Sequence, residues 1–226
     1  REYGPTKMRR FLKYELDSYL ANRGGERIEE LPLKLVEDQP YVHYRKGSLA
    51  MYALKDTIGE EAVNRALRAM LARYAFAEAP FPRSGDLIDA FRAETPADKQ
   101  ALITALFEKI TLWDLNVTDA RVQPTEDGRY RVTMSIATRQ LEADGAGREV
   151  EVPLDVWLDI GVFGAPPNGL GKDDLPAPLL LEKRHFDTGT STLEFIVDQL
   201  PMRVGIDPYN KLIDRNPDDN LRPVGA

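Results

Sequence analysis

The strongest constraint on this chain is a change of apolar period near Ile110. Before it, hydrophobic residues recur with the spacing of an α-helix; after it, they alternate. The helical signal is clearest over Glu60–Ala75, where Ala62, Val63, Ala66, Leu67, Met70, Leu71 and Tyr74 form one apolar stripe. Further helices are expected over Met8–Leu20 (apolar face Phe11, Leu12, Leu16, Tyr19, Leu20; stopped by Gly24-Gly25), over Ser48–Thr57, and from a Ser84 cap to Arg92. Thr95-Pro96-Ala97-Asp98 reads as the start of a last helix, with Thr95 as N-cap and Leu102, Ile103, Leu106, Phe107 and Ile110 on its buried face. Leu31–Pro40 reads as an irregular connection.

Beyond Ile110, Tyr130, Val132, Met134 and Ile136 alternate with Arg131, Thr133 and Ser135, the mark of a half-buried strand. Asp127-Gly128 and Ala143–Gly147 are turn signals. Other strands are expected over Leu115–Val122, Val150–Leu154, Val156–Val162, Leu179–Phe186, Thr192–Val197 and Met202–Ile206. Seven short strands with intervening turns suggest an antiparallel sandwich. The expectation is an α+β chain: a helical unit over 1–110 and a β-sandwich over 111–226, with almost no linker.

Composition narrows the function classes. A net charge of −7 argues against nucleic acid, and the one dense basic run, Lys7–Arg10, is followed by Glu15 and Asp17. There are no cysteines, which removes disulfides, thiolate metal sites and a cysteine nucleophile. No apolar run reaches the ~18–20 residues that span a bilayer. The chain opens Arg-Glu-Tyr without Met, as a piece of something longer would.

Few residues offer chemistry of their own. The two histidines, His43 and His185, fall in different units, and no His-Glu-x-x-His pattern occurs. His185 alternates with its neighbours as a surface or edge residue. Gly-x-Ser-x-Gly is absent. Gly169-Leu170-Gly171-Lys172 lacks the phosphate-loop spacing and reads as a surface loop. Asp207, Asn210, Asp214, Asp218, Asp219 and Asn220 make an oxygen-rich tail. It suits either calcium, without EF-hand spacing, or Asx turns and caps. Tyr41 and Tyr44 stand at the start of the Ser48–Thr57 helix, where a tyrosine usually packs in the core with its hydroxyl bonded.

Tyr44-Arg45-Lys46-Gly47 running into a helix resembles the Tyr-x-Lys-Gly motif of the aminopeptidase N family, zinc metallopeptidases of the gluzincin class. Ile58-Gly59-Glu60-Glu61, Ala66-Leu67-Arg68 and Ser84-Gly85-Asp86-Leu87 follow in the family's order, and Gly205–Asp214 resembles the end of its β-sandwich. Phe107–Trp113 and Asp207-Pro208-Tyr209-Asn210 are most similar to a bacterial subgroup whose peptidase is fused behind an ABC-type membrane permease. The resemblance implies the C-terminal helical portion of a catalytic domain followed by an Ig-like sandwich. It implies hydrolysis of N-terminal residues from peptide substrates by zinc-activated water. Tyr44 matches the tyrosine that hydrogen-bonds the developing oxyanion. The zinc motif and the amine-recognition motif would lie upstream of Arg1, in the peptidase module that completes the enzyme. This segment is therefore expected to hold no zinc or other cofactor, to be inactive and soluble alone, to insert in no membrane and to bind no nucleic acid. Its parent is expected at the bacterial inner membrane. The competing reading is a non-catalytic binding or assembly module of a transporter-linked peptidase-like protein.

Overall fold

The computed structural model describes residues 4–167 and 174–225; Gly169-Leu170-Gly171-Lys172 lies outside them. It is an α+β protein in which helices precede antiparallel strands. Two compact units divide the chain, one drawn from Arg1–Tyr14, Leu112–Leu141 and Glu151–Ala226, the other from Glu15–Thr111 and Glu142–Val150. The change of period at Ile110 thus lies beside a unit boundary. Arg1–Tyr14 sort with the strands and Glu142–Val150 with the helices.

Helix α1 (Pro5–Gly25) buries Leu12, Leu16 and Tyr19, one face at helical spacing, and leaves Phe11 exposed. Helix α2 (Gly47–Ile58) buries Leu49, Ala50, Ala53 and Leu54 and stops at Gly59, whose φ of 88° suits glycine. Helix α3 (Glu60–Tyr74) carries the apolar stripe with burial that declines along it: Ala62, Val63 and Ala66 are buried, Leu67, Met70 and Tyr74 are half-buried, and Leu71 is 65% exposed.

Two expected caps act differently. Helix α4 (Ser84–Glu94) is capped by Asp86, whose carboxylate accepts the Arg83 N–H at 2.8 Å. Ser84 Oγ instead donates to the Lys34 carbonyl at 2.6 Å. Thr95 Oγ1 donates back to the Phe91 carbonyl at 2.7 Å, closing α4 rather than opening the next helix. That next stretch changes pitch twice: a 3₁₀ turn (Ala97–Lys99), helix α5 (Gln100–Ile103) and a π turn (Thr104–Glu108). The Arg92 guanidinium of α4 ties α5 and the π turn together through Gln100 Oε1 (3.0 Å), Thr104 Oγ1 (2.9 Å) and Glu108 Oε2 (2.6 Å). Ile103, Leu106 and Phe107 are buried as expected, with Phe107 against Phe91.

Strand β2 (Tyr130–Ala143) is the hub of a four-stranded sheet. It pairs with β1 (Ile110–Pro124), β3 (Glu149–Val152) and β6 (Gly189–Val197), the last antiparallel from Tyr130↔Val197 to Thr138↔Gly189. Val132, Met134 and Ile136 are buried, as their alternation requires. The second sheet runs β5 (Pro178–Asp187), β4 (Asp155–Phe163), β7 (Arg203–Ile206), β8 (Leu221–Pro223), all antiparallel. The seven expected strands are present. Strand β8 is the addition, three residues ending in proline with no periodicity to reveal it.

The C-terminal segment bonds to both sheets. Against β1, the Trp113 N–H donates to the Ile213 carbonyl (2.9 Å), the Arg215 N–H to Trp113 (2.7 Å) and the Val117 N–H to Asp219 (3.1 Å). Against β7, the Ile206 N–H donates to the Asn220 carbonyl at 3.0 Å.

Candidate functional site

The chain enters α2 through a turn of π-helix, Tyr41–Lys46, which begins at Pro40 and continues without a break into Gly47. Single π turns recur at functional sites because the wider turn redirects side chains. Here it buries Tyr41, Val42 and Lys46 and turns His43 and Tyr44 outward. Gln39, 2% exposed, fixes the approach: its Oε1 accepts the Leu31 N–H (3.0 Å) and its Nε2 donates to the Glu29 carbonyl (2.9 Å).

Neither tyrosine is a packed ring with a bonded hydroxyl. Tyr41 is buried with its ring stacked on Tyr19 at 6.1 Å, but its hydroxyl has no partner. Burial, then the nearby Glu30 and Glu26, push its ionisation up to about 12. Tyr44 is 70% exposed and lies against the His43 ring, centroids 4.4 Å apart.

Lys46 anchors the turn and had no signal of its own beyond its place in the motif. It is fully buried, with Nζ 3.5 Å from Glu30 Oε1 and 5.5 Å from the centre of the Tyr19 ring. Burial, only partly offset by Glu30, pulls its pKa down to about 8. Glu30, itself 4% exposed, also accepts the Tyr19 hydroxyl (2.6 Å) and Arg23 Nε (2.7 Å). Arg23 reaches on to Glu149 at 3.0 Å, and the Glu30 N–H donates to the Gly145 carbonyl at 3.0 Å. Arg45 holds the outer side of the turn through both oxygens of Glu15, at 3.0 and 3.2 Å. The backbone beneath Tyr44 is thus fixed by one buried and one half-buried ion pair, while Tyr44 projects from it.

The two histidines fall in different units. His43 belongs to the helical unit and His185 to edge strand β5, where it contacts Asp155 and the edge of Trp157. Among the described residues, no three His, Cys, Asp or Glu side chains gather as metal ligands. Among the described residues, no helix is long and apolar enough to cross a membrane. A scan of protein-family models and a search of curated proteins found no match to this sequence.

Proposed function

We propose that this chain is part of a zinc-dependent aminopeptidase of the aminopeptidase N family, in which Tyr44 donates its hydroxyl proton in a hydrogen bond to the oxyanion that forms at the scissile peptide carbonyl. On this reading the helices form the C-terminal portion of the catalytic domain. The two antiparallel sheets form an Ig-like sandwich behind it. The zinc ligands are supplied from outside these residues, the segment alone is inactive, and the parent is attached to the bacterial inner membrane through an ABC-type permease.

The observation that supports the reading is the π turn. A tyrosine inside a Tyr-x-Lys-Gly motif is held outward by a buried Lys46–Glu30 pair, with no hydrogen bond of its own to compete for the proton. A donor acts on an oxyanion best when its orientation is fixed before charge develops, since no reorganisation is then needed at the barrier. Removing such a donor costs a factor of about 10²–10³ in kcat.

The test is peptide hydrolysis by the zinc-loaded, full-length parent, wild type against Tyr44→Phe. The expected result is a fall in kcat of about 100-fold or more with KM little changed. Unchanged kcat would move Tyr44 out of the reaction. A parent that hydrolyses no peptide would favour a non-catalytic module.

A further inference from the structure

The ion pairs beneath the π turn fix its backbone, but they do not fix the ring that projects from it. Tyr44 is 70% exposed, and a side chain so exposed samples several rotamers unless something beyond the backbone holds it. Among the described residues, one aromatic ring lies against it. That ring is His43, the residue immediately before, with centroids 4.4 Å apart and planes inclined at 59°.

Consecutive residues on an α-helix diverge by roughly 100° and do not face one another. Here the chain is in a π turn, in which the Gly47 N–H reaches back to the Val42 carbonyl. More residues share each turn, so successive side chains diverge less and the two rings meet. His43 also stands on fixed backbone. Its N–H donates to the Gln39 carbonyl at 3.2 Å, and Gln39 is buried with both ends of its amide bonded. On the other side, Arg45 is tied to Glu15 and Lys46 to Glu30. Core packing does not explain the imidazole, which is exposed.

We infer that His43 is a positioning residue for Tyr44, a role that rests on the peptidase reading above. Its imidazole packs on the phenol ring and keeps the hydroxyl where it meets the oxyanion. The role needs a flat ring at position 43 and no proton transfer from it. Released among its staggered χ1 wells, Tyr44 would hold the productive one for roughly a third of the time, and a broad χ2 lowers the share further. The expected loss is therefore about three- to tenfold in kcat, well short of the about 100-fold for the hydroxyl itself.

The test is a double-mutant cycle on the zinc-loaded, full-length parent, with His43→Ala, Tyr44→Phe and the pair, and with His43→Phe as the conservative variant. All these side chains are exposed, so the variants are expected to fold. His43→Ala should lower kcat about three- to tenfold with KM little changed, and His43→Phe should retain most of the wild-type kcat. In the Tyr44→Phe background His43→Ala should cost nothing further, because a positioning residue acts only through the hydroxyl. An equal loss in both backgrounds, an equal loss from His43→Phe, or no loss from His43→Ala while Tyr44→Phe lowers kcat would overturn this inference and leave the peptidase reading standing. Unchanged kcat in Tyr44→Phe would overturn both. The ring contact is checked on this chain alone, without activity. The chain has two histidines, so His185→Gln identifies the imidazole proton resonances of His43. Tyr44→Ala should shift those resonances by removing the ring current and leave those of His185 in place; unmoved His43 resonances would overturn the inference.

Discussion

Replacing Glu30 by Gln removes the anion on which Tyr19, Arg23 and Lys46 converge. The cost has two parts. Charge-assisted hydrogen bonds from Arg23 and Tyr19 contribute roughly 1.5–3 kcal/mol each, and the Gln amide oxygen keeps part of one of them. The Lys46 part is self-limiting. With a folded pKa of about 8, Lys46 is still protonated at pH 7; without Glu30 it sheds its proton rather than remain a bare buried cation. That escape spans about one pH unit, or ~1 kcal/mol. The sum is about 3–5 kcal/mol, the range for breaking a buried ion pair. The pH dependence separates the parts. Because the folded pKa of Lys46 lies below its ordinary 10.5, the unfolded chain binds more protons between about pH 8 and 10.5, and wild-type stability from this group rises through that window. In the variant the window opens lower, so its deficit shrinks by ~1 kcal/mol between pH 7 and 9. Tyr19 is silent there, its ionisation being held well above the usual range by burial and then by Glu30. Urea unfolding followed at 222 nm measures both quantities. A variant as stable as wild type at pH 7, or one with the same deficit at pH 7 and 9, would refute the reasoning.

Gly145→Ala should cost about 2 kcal/mol or more, because the residue sits at φ 88° and a Cβ would lie 2.4 Å from the Glu30 carbonyl oxygen. Gly128→Ala, at φ 82° with open space around it, should cost only the backbone share, about 1 kcal/mol, in the same unfolding assay. Tyr44→Phe should change stability by less than about 0.5 kcal/mol, since its side chain is 70% exposed, so that any loss of activity reports chemistry rather than folding. Burial raises the carboxyls of Asp207 to about 7 and Asp214 to about 8, so the folded chain binds more protons than the unfolded one from about pH 4 upward. Melting temperature should therefore fall as pH rises from 5 to 8; a flat profile would show that these carboxyls ionise normally.

What could be read from the sequence is what local chemistry decides. The alternation of Val132, Met134 and Ile136 places a strand because a period of two can bury only one face. The Leu12, Leu16, Tyr19 spacing places a helix for the corresponding reason. Boundaries set by competition between partners were not readable. Thr95 is a fit N-cap by residue type, yet its hydroxyl bonds backward to Phe91, and nothing in the neighbouring residues says which carbonyl wins. The stripe on α3 is regular through Leu71, but periodicity records which face is apolar, not how far a partner extends along it.

The candidate site divides the same way. Tyr44 stands out through a short motif, whereas the groups that hold it do not, because a lysine and a glutamate in a sequence read as solvated. Lys46 is buried only because Glu30, sixteen positions earlier, is carried to it by the connection after α1 and pinned there by Tyr19, Arg23 and the Gly145 carbonyl. A lysine two places after an exposed tyrosine has one physical use in this arrangement. Its buried charge ties the far side of the π turn to the helical core, and rotating Tyr44 inward would pull Lys46 away from Glu30. The motif therefore encodes an orientation as well as a hydroxyl. Lys46→Met, which fills the same space without the charge, would leave the fold in place and release that orientation.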